Sequence, residues 1–586
     1  MGAVILSGTG EMSGQATRPC TAGQVRLWPW ALTVLALAAL LFFLRLGERA
    51  LWAPEGRWAE IVREMQLSGN YFWPTINGKV YYDKPLLSYW LVVAASHLTG
   101  GINETAARLP SAVAGLLGIA LLIILAQRLY GRRTAILAGF ILATSHSYVF
   151  FSRLASADME TVAGVLAALT LFVVNEKQQG GWWIAGLWLI MALTSLTKGL
   201  LGFALPLLVV GSYSLLAEGW RRFLDGILRG PLEKRLIWLV THARWCFNWK
   251  TLVGVGVAGL VYFLPFAISY ALMHSSTGIY MAFRENVIRF VDPFDHRGPV
   301  YLYAYGIFVL MVPWSAFLPA ALFQMHSKPQ DKSDRFTLAY FWATFLFFTL
   351  SGSRRNYYLL PILPAAAILV AHLFATPREA LDSRARKLMG LGYILTALLV
   401  VAVGVLALLP PAMRPGTLSG LPALPDRMVF AAFWGLELAV LVYAFFELWP
   451  ERMVLSISAV AYLSLLYLFV FAFPGAELYR GEKAFAQAVR AELKGDMRRL
   501  VLYRIWGPGL LFYLSAEDPI LQYDEGAALA RLIENNPDFW VIAPERDLAS
   551  LPLRGSVVAR EETLRWNRSK HQGGDLVLFR PQPRAK

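Results

Sequence analysis

Charge is scarce in this chain. Only 16% of its 586 residues are Asp, Glu, Lys or Arg, against about 25% in soluble domains, while 57% are hydrophobic and mean hydropathy is +0.49. That imbalance excludes an ordinary water-soluble fold. Cysteine is almost absent: Cys20 and Cys246 are the only two. Both read as cytoplasmic, where thiols stay reduced, so no disulfide framework and no cysteine-based metal site can be built from them. A cleavable secretion signal is lacking as well. Residues 1–28 are mixed and polar, and the apolar run after them ends in Arg45 and Arg49 rather than in a small-residue cleavage site. That run reads as a first membrane helix. The GPG at 507–509 is a turn signal without the rest of a phosphate loop.

What the chain has is apolar length. Thirteen runs read as membrane spans, at 29–45, 108–127, 133–150, 159–175, 181–197, 199–217, 252–272, 301–323, 336–352, 357–375, 388–409, 428–447 and 453–473. Runs near 20 residues can cross a bilayer core as helices, and lipid demands helices because each backbone polar group must be satisfied internally. The net charge is +15, with pI near 9.7. In such a chain the basic residues of short loops set topology and meet anionic head groups, so membrane lipids are the implied partner and nucleic acid is not. Arg128, Arg132 and Arg133 flank one turn, Lys328, Lys332 and Arg335 lie in another, and Arg378, Arg384, Arg386 and Lys387 in a third. Together with the basic segment 218–250 they fall on one side if the N-terminus is cytoplasmic. An odd number of spans then puts the C-terminus outside.

Two external loops, 46–107 and 273–300, are too long to be mere connectors. In the first, 58–68 and 86–98 read as helices lying along the membrane surface. After 475 the composition changes. A helix is expected at 481–494, strands at 499–505, 539–543, 556–559 and 575–579, and a further helix at 525–534. Residues 1–475 thus read as a transmembrane domain and 476–586 as a small soluble extracytoplasmic α/β domain.

The first external loop concentrates charge: Glu55, Arg57, Glu60, Arg63 and Glu64, then Tyr81, Tyr82, Asp83 and Lys84, then Glu104 and Arg108. The plain reading is a solvated loop with ordinary ion pairs. The sharper one is an anion site at the bilayer surface. Arg57 and Lys84 would grip a phosphate, and Glu55 or Asp83 would take a proton from an acceptor or hold a divalent cation. Most of the Trp and Tyr residues form interfacial belts, while Tyr81, Tyr82 and Tyr357 could line a sugar pocket. A lone loop histidine such as His296 is more often structural, Asp158 can simply cap the next span, and Lys198 can snorkel between two spans.

The tract EGRWAEIVREMQLSGNYFWPTINGKVYYDKPLLSYW (55–90), followed by ETAARLPSAVAG (104–115), closely resembles the lipid A aminoarabinose transferases, which belong to the larger group that includes protein O-mannosyltransferases. The resemblance continues through RLASADM (153–159), LTKGLLGFALP (196–206), ENVIRFVDPFDHRGPVYLY (285–303), VPW (312–314) and SGSRRNYYLLPILPA (351–365). It implies a polytopic α-helical membrane protein of GT-C type, in a bacterial inner membrane, with an active site shaped by the first external loop. The implied activity moves a sugar from a polyprenyl-phosphate donor, carried on undecaprenyl phosphate, to lipid A, another envelope glycan or a protein. A monomer is expected.

Residue by residue, the resemblance makes Lys84 a donor-phosphate ligand, with Asp83 at the acidic position before it, and Arg57 the arginine after the first acidic position. Asp158 matches an acidic residue of a second external loop, beside Arg153; Arg354 and Arg355 stand where relatives often have a phosphate-binding lysine. His296 falls where relatives place a histidine near a metal, so Asp83 and His296 become candidate ligands of a divalent ion, Zn, Mg or Mn. One departure matters. Relatives commonly carry Asp-Glu before the Gly/Ala-Arg; here the first is Pro54 and only Glu55 remains. The base role is then vacant or has moved to Glu55. The competing class is a lipid or solute transporter, whose intramembrane charges would line a path; against it, the charges here gather in external loops.

The topology has a direct test. A single cysteine placed beyond residue 475, in a chain lacking Cys20 and Cys246, should react with an impermeant label in intact spheroplasts. Labelling only after lysis would reverse the orientation.

Overall fold

The computed structural model describes residues 27–215, 231 and 248–582, apart from 53, 179, 293–296, 411–412, 415–425, 448–449, 476–479, 552 and 563–574. Both cysteines, the basic segment up to 247 and His296 lie outside the described residues.

Helix α1 (Leu27–Phe43) leads into the first loop, which holds α2 (Glu55–Ser68), a hairpin of β1 (Thr75–Ile76) and β2 (Lys79–Val80), and α3 (Leu87–Leu98). α2 ends at Gly69, whose φ of +68° suits glycine. The hairpin turns on Asn77 and Gly78, both at positive φ, the pairing that a two-residue turn requires. The chain then climbs through α4 (Glu104–Tyr130), whose cap Asn103 accepts from the Ala106 amide at 2.9 Å.

Among the described residues six helices are long and apolar enough to cross a membrane, or eight if each of two bent pairs is one span. The expected runs are helical, but several are not straight spans. The run 133–150 breaks into α5 (Arg132–Ala143) and α6 (His146–Ser152), bent by 65°. There the hydroxyls of Thr144 and Ser145 bond back to Phe140 and Ile141 carbonyls, which competes with the helix ladder. The run 301–323 folds by 119° between Leu310 and Trp314, around Pro313. α7 (Asp158–Asn175) is one continuous helix, whereas α8 (Trp183–Lys198) and α9 (Leu201–Leu215) are separated at Gly199, with φ +100°. Trp314, Tyr148, Tyr303 and Tyr340 are fully buried in the helical core.

Toward the C-terminus, α10 (Glu482–Glu492) precedes a five-stranded sheet of β3 (Leu500–Tyr503), β4 (Leu521–Tyr523), β5 (Trp540–Pro544), β6 (Gly555–Arg560) and β7 (Leu576–Pro581), in the order β4-β3-β5-β7-β6. β3 pairs parallel with β4 and β5, and β7 antiparallel with β5 and β6. Helices α11 (Pro508–Leu514) and α12 (Gly526–Asn535) connect the parallel strands. β4 and α11 carry no clear periodicity: β4 is a three-residue edge strand with Leu521 exposed.

This sheet shares a core with the first loop. Trp58, Ile61 and Met65 of α2 pack in one cluster with Phe485, Leu510 and Leu514. Asn77 bonds Ile520 in both directions, at 2.8 and 2.7 Å. The Tyr513 hydroxyl accepts from the Leu51 amide at 2.6 Å, and Lys483 meets Glu104 at 2.6 Å. At the centre Gly56 faces Gly509 so closely that a Cβ on Gly56 would lie 2.4 Å from the Gly509 Cα. Gly56→Ala should therefore force the backbones apart at a cost of about 1–3 kcal/mol. Thermal unfolding and limited proteolysis in nanodiscs check it; an unchanged Tm and unchanged protection of the sheet would refute the contact.

Candidate active site

The hairpin aims Tyr81–Lys84 back at the start of α2. Arg57 Nη1 donates to Asp83 Oδ2 at 2.8 Å and to the Tyr81 hydroxyl at 2.9 Å. Lys84 Nζ lies 3.1 Å from the other Asp83 oxygen and 4.0 Å from Glu285. Glu285 in turn pairs with Arg289. These five side chains, drawn from α2, the tract after β2 and the second long loop, hold one net positive charge in a mostly buried setting. Burial pushes the Asp83 carboxyl up, but Lys84 and Arg57 outweigh it and hold it below the usual range. Burial lowers Lys84, opposed by Asp83 and Glu285. Glu285 is raised, chiefly by burial, against the pull of Lys84 and Arg289.

A second group adjoins the first. Asp158, at the head of α7, accepts from Lys198 at the end of α8. The Lys198 ammonium lies 4.9 Å from the Tyr358 ring and 5.5 Å from that of Tyr357. The Leu200 amide, two residues on from Lys198, donates to Asn286 Oδ1, beside Glu285, at 2.7 Å, which joins the two groups. Sequence reasoning passed over Glu285 and Arg289 and read Lys198 first as a snorkelling residue between two spans. Glu285 opens one of the tracts that carry the resemblance, and its four-residue spacing to Arg289 suits one helical face.

Glu55 and Asp83 take different partners. The Glu55 carboxylate, with no exposed surface, accepts from Arg108 Nε at 2.7 Å and Nη2 at 3.0 Å, from the Ala155 amide at 3.0 Å and from the Trp52 amide at 3.0 Å. Arg480 stands 3.9 Å away. Such a saturated carboxylate has no room for an acceptor proton. Burial alone would raise it, and Arg108 more than offsets that, so it stays ionised below the usual range. Tyr82 packs against Trp73 and Phe266 with 4% exposure, so it does not line an open sugar pocket. Arg354 donates to the Thr349 and Gly298 carbonyls, which ties its fork to backbone. Arg355 donates to the Tyr357 hydroxyl at 3.0 Å, beside Lys198. Tyr81 lies at the mouth of the first group.

Among the described residues no three His, Cys, Asp or Glu side chains converge, and the Asp83 oxygens face two cations; His296, the other expected metal ligand, lies outside the described residues.

The Glu55–Arg108 pair sets a pH dependence. Because the folded carboxyl sits below its unfolded value of about 4.3, its stabilisation is complete above that pH and is lost as pH falls through the folded value. Glu55→Gln should cost about 3–5 kcal/mol at neutral pH by stranding Arg108, with the gap to wild type narrowing in acid. Equal Tm values at pH 7 would refute the clamp.

The family model for dolichyl-phosphate-mannose-protein mannosyltransferases matches residues 83–229. The undecaprenyl phosphate-alpha-4-amino-4-deoxy-L-arabinose arabinosyl transferase of Pseudomonas paraeruginosa is 28% identical over 389 residues, 64% of this chain and 65% of that protein. An uncharacterized protein of Aquifex aeolicus is 30% identical over 58% of this chain and 63% of its own length. The chain thus spans just under two thirds of the length of these relatives. The crystal structure of ArnT from Cupriavidus metallidurans bound to undecaprenyl phosphate superposes with a TM-score of 0.70, covering 95% of this chain and 98% of that one at 22% identity; its apo form gives 0.67. In fold the chain matches that structure, and in sequence it is similar to the undecaprenyl phosphate-alpha-4-amino-4-deoxy-L-arabinose arabinosyl transferases.

Proposed function

We propose that this chain, a multi-pass protein of a bacterial inner membrane, transfers a sugar from an undecaprenyl-phosphate donor to an acceptor on the far side: lipid A, another envelope glycan or a protein. One observation carries the reading: Arg57, Lys84 and Arg289 gather with Asp83 and Glu285 in the external loops, where a lipid phosphate reaches the bilayer surface. The likeness to a relative named for an undecaprenyl-phosphate sugar agrees with it. Thirteen crossings with a cytoplasmic N-terminus put that cluster and the region after 475 on the same outer side, and the chain acts as a monomer.

The reaction breaks the bond between the anomeric carbon and the phosphate oxygen. The electron pair leaves with the phosphate, and an acceptor oxygen bonds the carbon. Charge developing on the departing phosphate falls among preorganised cations, worth most where water is excluded. Asp83 orients Arg57 and Lys84 toward that position. A phosphate acceptor needs no base, so the lost acidic residue at Pro54 costs it little. A hydroxyl acceptor gives up a proton, and Asp158 is the carboxylate beside the second group that can receive it. No step is routed through a metal.

Lys84→Ala should weaken donor use by about 1.5–3 kcal/mol, the worth of a charge-assisted contact, very roughly ten- to hundredfold. Lys84→Arg should rescue only in part, because a planar fork replaces a point charge. The test is transfer from a purified undecaprenyl-phosphate sugar in nanodiscs, with and without chelator, beside mass spectrometry of envelope glycans from cells with and without the gene. Unchanged kinetics in Lys84→Ala at normal protein level would sink the assignment.

A further inference from the structure

The GPG turn plays no part in the reaction just derived, yet it lies at a telling place. β4, β3 and β5 run parallel, and ligands of such sheets bind beyond the carboxyl ends of the strands. Here the segment that follows β3 lies against the first external loop. The segment after β3 sets Gly509 on Gly56 and Trp506 on Tyr81, while Gln522, in β4, takes Lys79 at 3.3 Å. The segment is fixed, not loose: the Arg504 amide donates to the Tyr523 carbonyl at 3.0 Å, and Gln522 Nε2 to the Ile505 carbonyl at 2.9 Å. Between these anchors and the Gly509 contact, the Trp506 indole is 56% exposed. Its ring centroid lies 5.5 Å from that of Tyr81 with a 32° tilt, so the two faces form an open wedge rather than a closed stack. The Tyr81 hydroxyl is the one that accepts from Arg57.

We propose that Trp506 and Tyr81 form an aromatic shelf that receives a sugar ring of the acceptor, so that the C-terminal region helps to build the site. This rests on the sugar-transfer reading. Aromatic faces bury the C–H face of a pyranose while the sugar hydroxyls stay wet, and indole combines a large apolar face with few rotatable bonds. The order of contacts favours the acceptor over the donor. They run from Trp506 through Tyr81 to Arg57, Asp83, Lys84 and Glu285, and by way of Asn286 and the Lys198 segment reach Asp158 at the head of a membrane helix. A donor held in the bilayer by its polyprenyl chain enters from the Asp158 end. The indole stands at the other end, on a segment contributed by the sheet. An exposed tryptophan could also serve only to dock the sheet on the loop, and the test separates the two.

Full-length protein in nanodiscs is assayed with an undecaprenyl-phosphate sugar as donor and lipid A as acceptor, each titrated separately. Trp506→Ala should raise the acceptor KM about tenfold, as loss of one aromatic contact would, with kcat and donor KM near wild type. Trp506→Phe should restore most of the loss, whereas Trp506→Leu, equally apolar but without a ring face, should not. A second measurement needs no turnover: saturation-transfer NMR with a methyl hexopyranoside should light up the ring C–H protons in wild type and lose them in Trp506→Ala. An unchanged acceptor KM, equal rescue by Leu, a rise in donor KM instead, or NMR transfer absent in wild type or indifferent to Trp506 would each overturn the shelf. If wild type bears the NMR signal but transfers no sugar, the catalytic reading fails while the shelf stands.

Discussion

Glu55 has no contact with water, and the geometry of the first loop hangs from its pairing with Arg108. The guanidinium reaches across from α4, and its remaining N–H groups donate to the carbonyls of Leu46, Arg49 and Ala50. The carboxylate's other partners are the amides of Ala155 and Trp52. One ion pair thus fixes the exit of α1, the first turn of α2 and the approach to α7. Removing either partner would leave an uncompensated charge in low dielectric. Arg153 supports the same turn from another side, donating to the carbonyls of Leu41, Phe42 and Leu44, the groups a helix C-terminus leaves unsatisfied.

With that turn fixed, two carboxylates of one loop take opposite roles. Glu55 is spent on architecture. Asp83, carried by the hairpin and α3, faces cations from two other segments and keeps some exposure. Membrane proteins place ionisable groups where they pair. Arg57 joins Asp83 although it stands two residues from Glu55, because those positions point to different sides of α2.

Much of this was legible in the residues. Apolar length located the helices, the short apolar runs after 499 located four of the five strands, and the tract around Asp83 and Lys84 is where the first loop gathers Arg57 and Glu285. Hydropathy could not tell that the runs at 133–150 and 301–323 bend, since the bends come from Thr144 and Ser145 hydroxyls and from Pro313 within otherwise apolar sequence. Nor could it separate Glu55 from Asp83. Both are acidic residues beside basic ones, and only the fold decides that Arg108, 53 positions away, closes on Glu55. Glu285, with Arg289 paired to it, was hidden for the same reason: its partner Lys84 is distant in sequence.

The bonds between Asn77 and Ile520 join positions 443 residues apart. A ribosome adding about 5–20 residues per second needs on the order of 20–90 s to cover that interval. During that time the first loop has already left the ribosome with its cations in place but without the sheet that covers them. The order of synthesis therefore imposes a delay between making the charged cluster and finishing its surroundings.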